Sequence, residues 1–253
     1  MILTIANQKG GVGKSTTALS IGAALLHRGY SVLFVDLDAQ GNLTYALGGN
    51  PGGYTSLDIL TGQATAQQAI QKVTGDLIPY SPSLSGSDML LNKTGKEYRL
   101  QEALEPIQAN YDWIVVDTPP SLGILTVNAL TACKWAIIPA QADMYSLQGI
   151  GQLYSTIEAV RQYCNPDLEI RGILLTRHSN RAILSRDMAT LMDDTARKLG
   201  TKLFETTIRE NIAVKEAQAR QQDIFTYAPK SNGSIDYAAF MDELLKDFKE
   251  KRK

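Results

Sequence analysis

The sequence is poor in cysteine and contains no long apolar run. Its 253 residues include only two cysteines, Cys133 and Cys164, which have no metal-ligand spacing. This scarcity argues against a disulfide-built secreted domain and fits a reducing, cytosolic setting. No apolar run reaches the ~18 residues that a membrane span needs, and the N-terminus lacks the basic region of a signal peptide. We therefore expect a cytoplasmic protein with no integral membrane association.

An excess of charge of one sign is also lacking, since the formal net charge is −1. The whole molecule is therefore not an obvious binder of polyanions. The distribution is less even: residues 171–253 hold 16 Lys and Arg against 12 Asp and Glu, whereas residues 1–170 hold 9 against 14. The basic C-terminal third indicates an acidic partner. The length suits a single α/β domain over residues 1–253.

Strand signals recur along the chain and are mostly apolar on both faces, as in buried parallel strands. They lie at Ile2–Asn7, Ser31–Asp36, Leu77–Tyr80, Trp113–Asp117, Trp135–Pro139, Ile170–Thr176 and Lys202–Phe204. Stretches with helical periodicity lie between or after them, at 15–28, 146–163, 185–199 and 234–253. The alternation predicts an α/β fold with a doubly wound, mostly parallel sheet flanked by helices. In such folds, ligands bind at the carboxyl ends of the strands.

The most specific motif is a glycine-rich loop between the first predicted strand and the first predicted helix. It reads Lys9-Gly10-Gly11-Val12-Gly13-Lys14-Ser15-Thr16. Backbone N–H groups of such a loop cradle phosphate oxygens, and the helix N-terminus adds partial positive charge. We expect Lys14 to neutralise the β and γ phosphates and the Ser15 hydroxyl to ligate Mg²⁺. The loop therefore predicts a binding site for a nucleoside triphosphate and Mg²⁺.

Three further features accompany this loop. Gln8 stands where the standard pattern has glycine, and Lys9 adds a second lysine, which makes the loop a deviant Walker A motif. The segment Asp36-Leu37-Asp38-Ala39-Gln40-Gly41-Asn42 follows the second predicted strand, and Asp117 ends the apolar strand 113–117 in the manner of a Walker B motif. We expect Asp117 to hold Mg²⁺, and Asp36 to support the metal indirectly or to close the strand end.

These motifs, in this order, resemble the ParA/MinD group of P-loop ATPases, and the likeness runs from Lys9 to Lys230. The resemblance implies that Lys9 reaches across an ATP-bound homodimer to the phosphates held by the partner subunit. It also implies that Asp38 orients the water that attacks the γ-phosphate. Ala39 departs from the proline that is usual in the group. The related nitrogenase iron protein is excluded because Thr118-Pro119-Pro120 stands where that protein needs a cluster-ligating cysteine.

The resemblance to ParA partition ATPases extends to the basic C-terminal third. It implies that the adenine lies near Thr176, Arg177, Ile208 and Arg209, and that surface cations bind DNA without sequence preference. The candidate DNA-contacting residues are Arg181, Arg186, Lys215, Arg220 and Lys230, with Arg177 and Arg209 as further candidates. Ala213 occupies a position that is commonly basic in the group. A ParB-like, centromere-binding protein is the expected partner, and the expected location is the nucleoid.

Two other functions remain open from the sequence. A MinD-like ATPase would position itself on a membrane surface through an amphipathic C-terminal helix, but acids such as Asp242, Glu243, Asp247 and Glu250 interrupt the polar face here. Packing of that helix on the sheet is the preferred interpretation. A metabolic or kinase relative would phosphorylate an acceptor. Because the chain starts directly at the P-loop strand, we expect no N-terminal helix-turn-helix extension.

Overall fold

The computed structural model describes residues 1–178 and 183–250, excluding the side chains of 183–186 and 247–250. Within these residues, eight strands form a sheet in the order β3-β4-β2-β5-β1-β6-β7-β8. All described pairings are parallel except that of β3 with β4. The strands are β1 Ile2–Ile5, β2 Val32–Asp36, β3 Gln71–Val73, β4 Gly75–Ile78, β5 Trp113–Asp117, β6 Trp135–Ala140, β7 Glu169–His178 and β8 Ile208–Arg209. The predicted α/β fold is confirmed.

Helices connect these strands and cover both faces of the sheet. They are α1 Lys14–His27, α2 Asn42–Ala46, α3 Ser56–Thr61, α4 Ala66–Ala69, α5 Ser87–Leu90, α6 Arg99–Leu104, α7 Ile124–Ala132, α8 Met144–Tyr163, α9 Ile183–Lys198, α10 Ile212–Ala219, α11 Ile224–Tyr227 and α12 Asn232–Glu250. Short 3-10 turns lie at Pro82–Gly86, Lys96–Tyr98 and Gln108–Asn110. Each of the four predicted helices is present, within three residues of its predicted bounds wherever the structure describes them.

Two strand predictions differ from the structure. The prediction of a strand at 202–204 was wrong, because only Leu203 pairs there, through a single bridge to Ile173. Two further strands, β3 and β8, were not predicted. Both are edge strands of only two or three residues, and in them Ile208 alone is buried. Such strands carry little of the apolar run on which the predictions depended.

Two apolar clusters form the core, one on each side of the central strands. One of them includes α1 and the inward face of α12, where Tyr237, Phe240, Met241 and Leu244 are fully buried. The prediction that the C-terminal helix packs on the sheet is therefore confirmed. In the described part of the chain, no helix combines the length and the apolar character needed to span a bilayer.

The register of the central strands brings three motifs to one edge of the sheet. Asp36 at the end of β2 lies opposite Asp117 at the end of β5, and Ile5 at the end of β1 lies opposite Asp117 on its other side. The chain leaves β1 directly into the glycine-rich loop. Both strand-end carboxylates therefore meet beside that loop, as the parallel arrangement predicts.

Candidate functional site

The glycine-rich loop turns through two left-handed residues, Gly11 (φ 75°) and Gly13 (φ 84°), before α1 begins at Lys14. This region of backbone space strongly favours glycine. The Lys14 ammonium folds back and donates to the Lys9 carbonyl oxygen at 3.2 Å. The Thr176 hydroxyl, at the end of β7, donates to the Val12 carbonyl oxygen at 2.8 Å and so ties the loop to the neighbouring strand. The loop has the curvature of a phosphate cradle at a helix N-terminus.

A cavity of about 510 Å³ opens from this loop. Its walls come from the loop, the segment after β2, the end of β7 and the region from β8 through α10. Among its lining residues are Gly10, Gly11, Gly13, Lys14, Ser15, Thr16, Asp38, Thr176, Arg177, Ile208 and Arg209. The structure thus brings the predicted phosphate and adenine residues into one cavity. Val12 is the exception, because it is fully buried and does not line the cavity.

Asp117 lies beneath the loop as an unpartnered carboxylate. It is completely buried, and neither of its oxygens accepts a hydrogen bond from the described residues. Burial, followed by the nearby Asp36 charge, holds the pKa of Asp117 well above its ordinary value, and the neighbouring Ser15 hydroxyl and Lys14 ammonium offset this only in part. Conversely, burial lowers the pKa of Lys14, although Asp117 and Asp38 oppose that effect. A buried carboxylate without a partner is costly unless a cation completes the site.

Asp36 and Asp38 have different surroundings. Asp36 is fully buried and accepts hydrogen bonds from the Asp38 and Thr44 backbone N–H groups and from the Thr44 hydroxyl, at 3.1, 2.9 and 2.7 Å. Burial raises the pKa of Asp36 to about 6. Asp38 lines the cavity and accepts one hydrogen bond, from the Gln40 N–H at 3.0 Å. Asp36 therefore organises the segment that carries Asp38, whereas Asp38 itself faces the cavity.

The donor set around Asp117 suits a magnesium ion. Carboxylate and hydroxyl oxygens are the ligands that Mg²⁺ prefers, together with phosphate oxygens and water. Both Asp117 oxygens are buried without a hydrogen bond from the described residues, and the Ser15 hydroxyl of the phosphate loop is their neighbour. These two residues would hold the ion. Asp36 already accepts three hydrogen bonds from the segment that carries Asp38, so we assign it to holding that segment in place.

The Lys9 side chain forms an ion pair within its own subunit. Its ammonium donates to Asp143 Oδ2 at 2.6 Å and lies 3.5 Å from the Ser146 hydroxyl. Asp143 caps the N-terminus of α8 by accepting from the Ser146 N–H at 2.8 Å. Burial opposes ionisation of Asp143, but the Lys9 hydrogen bond and the cap outweigh it and lower the pKa of that carboxyl. Lys9 and Asp143 remain about one-third exposed, at 27% and 34%.

Sequence reasoning missed the roles of several residues at the site. The Gln218 side chain, on α10, lines the cavity and donates to the Thr16 hydroxyl at 2.9 Å. Arg209 is bound through two nitrogens to Asp236 of α12. The place of Asp143 directly before a helix is a recognisable N-cap signal, whereas nothing local marks Gln218 or Asp236.

The predicted DNA-contacting residues have mixed outcomes. Arg181 lies outside the described residues, and so does the side chain of Arg186. Lys215 lies on the rim of the cavity, and Arg220 packs over the Tyr227 ring at 5.4 Å. Lys230 is exposed after α11. These described cations lie along one stretch of the C-terminal third, and their contact with DNA stays a prediction.

The comparisons with known proteins fit this geometry. A family model described as an AAA domain matches residues 1–170. The chromosome partitioning protein ParA of Caulobacter vibrioides is 41% identical over 252 residues, covering 96% of this chain and 93% of that protein. The sporulation initiation inhibitor protein Soj of Bacillus subtilis is 39% identical, covering 96% and 97% of the two chains.

Solved structures show the same architecture with nucleotide bound. A Mycobacterium smegmatis protein described as cobyrinic acid a,c-diamide synthase, with an ATP analogue and magnesium, has a TM-score of 0.85 and 37% identity over 100% of this chain and 97% of that one. A Borrelia burgdorferi protein described as a putative plasmid partition protein, bound to AMPPNP, has a TM-score of 0.82 and 26% identity over 97% and 98%.

The fold, the phosphate loop and the strand-end carboxylates define a P-loop nucleoside triphosphatase of the deviant Walker A type. The near full-length similarity to ParA and Soj narrows this class. The chain belongs to the ParA family of P-loop ATPases.

Proposed function

We propose that this protein is a DNA-segregation ATPase that works at the nucleoid. Mg-ATP closes a homodimer, the dimer binds DNA without sequence preference, and a ParB-like, centromere-binding protein stimulates hydrolysis and release. The observation that carries the proposal is the single cavity in which the phosphate loop and Asp38 meet the basic C-terminal segment. Nucleotide bound there would touch both the hydrolytic residues and the surface that carries Lys215.

The cavity residues and Asp117 have different roles in the proposed ATP hydrolysis. The loop N–H groups and Lys14 would bind the phosphates, while Ser15 and Asp117 would hold the metal. When bound, Mg²⁺ supplies positive charge against the β and γ phosphates. Asp38 orients a water molecule for in-line attack on the γ-phosphate, which gives ADP and phosphate. Few other groups are needed, because phosphoryl transfer is mostly positioning and charge neutralisation.

The ion pair between Lys9 and Asp143 can be broken at small cost. The pair is partly exposed, and such pairs contribute only about 0–1 kcal/mol. The polyphosphate of a facing subunit offers more negative charge than Asp143 alone. Lys9 would therefore leave Asp143 when two nucleotide-bound subunits approach.

The first test is Lys9→Ala. We expect this variant to bind nucleotide as a monomer but to lose ATP-dependent dimerisation, measured by light scattering with a non-hydrolysable ATP analogue. Lys93→Ala removes an equal charge from a loop outside the cavity and should dimerise normally. Undiminished dimerisation of Lys9→Ala would refute the role of Lys9 across the interface.

The second test is Asp38→Ala, which should bind ATP and dimerise but remain trapped on DNA. DNA pelleting with ATP measures this, and rapid release from DNA would contradict the hydrolytic role of Asp38.

Vesicle flotation with ATP distinguishes a MinD-like membrane function, for which flotation rather than DNA pelleting is expected. Phosphate released from ATP without any acceptor counts against a synthase or kinase.

A further inference from the structure

A charged cluster lies at the rim of the nucleotide cavity. Arg177 Nη2 donates to Glu210 Oε1 at 2.8 Å, and Lys215 Nζ lies 3.8 Å from the same oxygen. The three residues come from β7, from the turn after β8 and from α10, and all three line the cavity. One carboxylate thus stands between two cations.

Arg177 occupies this position at a cost in backbone conformation. Its φ of 50° is left-handed, which is uncommon for a residue with a side chain. Such conformations persist where surrounding contacts fix them, and they concentrate at functional sites. The hydrogen bond from Arg177 to Glu210 is one of those contacts. It also lowers the pKa of Glu210, with a smaller contribution from Lys215, so the carboxylate is charged at neutral pH.

The cluster differs from the other described DNA-contacting candidates because Arg177 and Lys215 share one carboxylate, whereas Arg209 pairs with Asp236. Arg220 packs over an aromatic ring rather than against an acid, whereas Lys215 is paired with Glu210. All three members of the cluster are accessible, with exposed fractions of 46% for Arg177, 59% for Glu210 and 66% for Lys215. An incoming phosphate chain can therefore reach the two cations, but it meets the carboxylate between them.

We propose that Glu210 masks a two-cation patch formed by Arg177 and Lys215, and that the phosphate backbone of DNA is the ligand the patch takes once the mask is displaced. This inference rests on the proposed DNA binding and assigns Glu210 as the residue that limits it. An exposed ion pair is weak, so a phosphate can replace Glu210 at small cost. Glu210 nevertheless stays beside the two cations and competes with phosphate for them, so the wild-type patch neutralises fewer phosphates than its two positive charges allow.

The test compares Glu210→Gln with the wild type and with Glu105→Gln. Glu105 is an exposed acid after α6, outside the cavity lining, so its substitution makes the same change in net charge. Binding to a DNA duplex of random sequence is measured by fluorescence anisotropy with a non-hydrolysable ATP analogue and Mg²⁺, across a salt titration. Affinity for the analogue is measured separately for each variant.

Each additional DNA phosphate that the protein neutralises makes the slope of log K against log salt steeper by about 0.9. Between ~1 M and ~0.1 M salt, one such phosphate therefore adds a further gain in affinity of about 8-fold. We expect Glu210→Gln to neutralise one or two more phosphates than the wild type does. Adding Lys215→Gln to that variant should reduce the number by about one. Glu105→Gln should follow the wild type.

The possible results of this experiment distinguish a failure of the masking role of Glu210 from a failure of the proposed segregation function. Equal slopes for Glu210→Gln, Glu105→Gln and the wild type, all binding DNA, would overturn the mask and leave the segregation proposal standing. A steeper slope that survives removal of Lys215 and Arg177 would also overturn it. If no form binds DNA even at low salt, both proposals fail. If the improvement appears only in affinity for the ATP analogue, the patch serves nucleotide and the inference is wrong.

Discussion

The buried carboxyl groups of Asp36 and Asp117 each contribute a loss of stability in the metal-free protein as pH rises, and the size of the Asp36 contribution can be worked out. The pKa of Asp36 is about 6 in the folded protein, against an ordinary value of 3.8. Because the folded-state pKa is the higher one, the folded protein holds a proton that the unfolded chain loses first. Stability is therefore lost between about pH 4 and 6 and is level above that range. This direction is opposite to that of a salt-bridged acid.

The magnitude follows from the linkage between proton binding and folding. A pKa difference of one unit corresponds to about 1.4 kcal/mol, so the charge on Asp36 costs about 3 kcal/mol at neutral pH. About 2 kcal/mol of this falls between pH 4.5 and 7.5. For a domain of this size, 1 kcal/mol moves the melting temperature by about 2–4 °C, so we expect a decrease of about 4–8 °C from Asp36.

The assay compares the wild type with Asp36→Asn by thermal denaturation at pH 4.5 and 7.5, with EDTA and without nucleotide. Asparagine cannot ionise and disturbs the hydrogen bonds from Thr44 and Asp38, but that loss is the same at both pH values and cancels. The wild type should lose about 4–8 °C more than the variant between the two pH values. Equal pH dependence, or a larger loss in the variant, would refute the assignment of a raised pKa to Asp36.

Two further predictions concern the same edge of the sheet and the helix behind it. Asp117→Asn should stabilise the metal-free protein, because it removes a buried carboxyl group whose oxygens accept no hydrogen bond from the described residues, yet abolish the rise in melting temperature that Mg-ATP gives the wild type; a rise of wild-type size would contradict this. Gly22→Ala should cost about 2 kcal/mol in urea unfolding, because its Cβ would lie 2.0 Å from Phe34 Cε1 inside the core. The control is Gly151→Ala on α8, where the added Cβ meets open space, and it should increase stability by up to ~1 kcal/mol. If both glycine variants lost stability, close packing against Phe34 would not explain the loss in Gly22→Ala.

The parts of the site that the sequence predicted are those whose chemistry is local. The phosphate loop, the position of Asp38 in the cavity lining and the buried end of β5 at Asp117 each follow from a strand, a turn and a few residue types in sequence. The pairs that sequence reasoning missed join distant segments. Lys9 and Asp143 are 134 residues apart, and Gln218 and Thr16 are 202 apart. No periodicity or turn signal specifies such pairs, because it is the tertiary packing of helices and strands that brings them together.

These long-range pairs bear on how one nucleotide can control a distant surface. The phosphate-loop helix holds the C-terminal third at two successive residues: Thr16 accepts from Gln218 of α10, and Thr17 shares a hydrogen bond of 3.2 Å with Tyr237 of α12. Since α10 also carries Lys215, a change in the position of Thr16 on phosphate binding would pass to the basic surface through one side chain. In the function proposed above, the hydrogen bond from Gln218 to Thr16 would be the direct link between the phosphate-loop helix and the helix that carries Lys215.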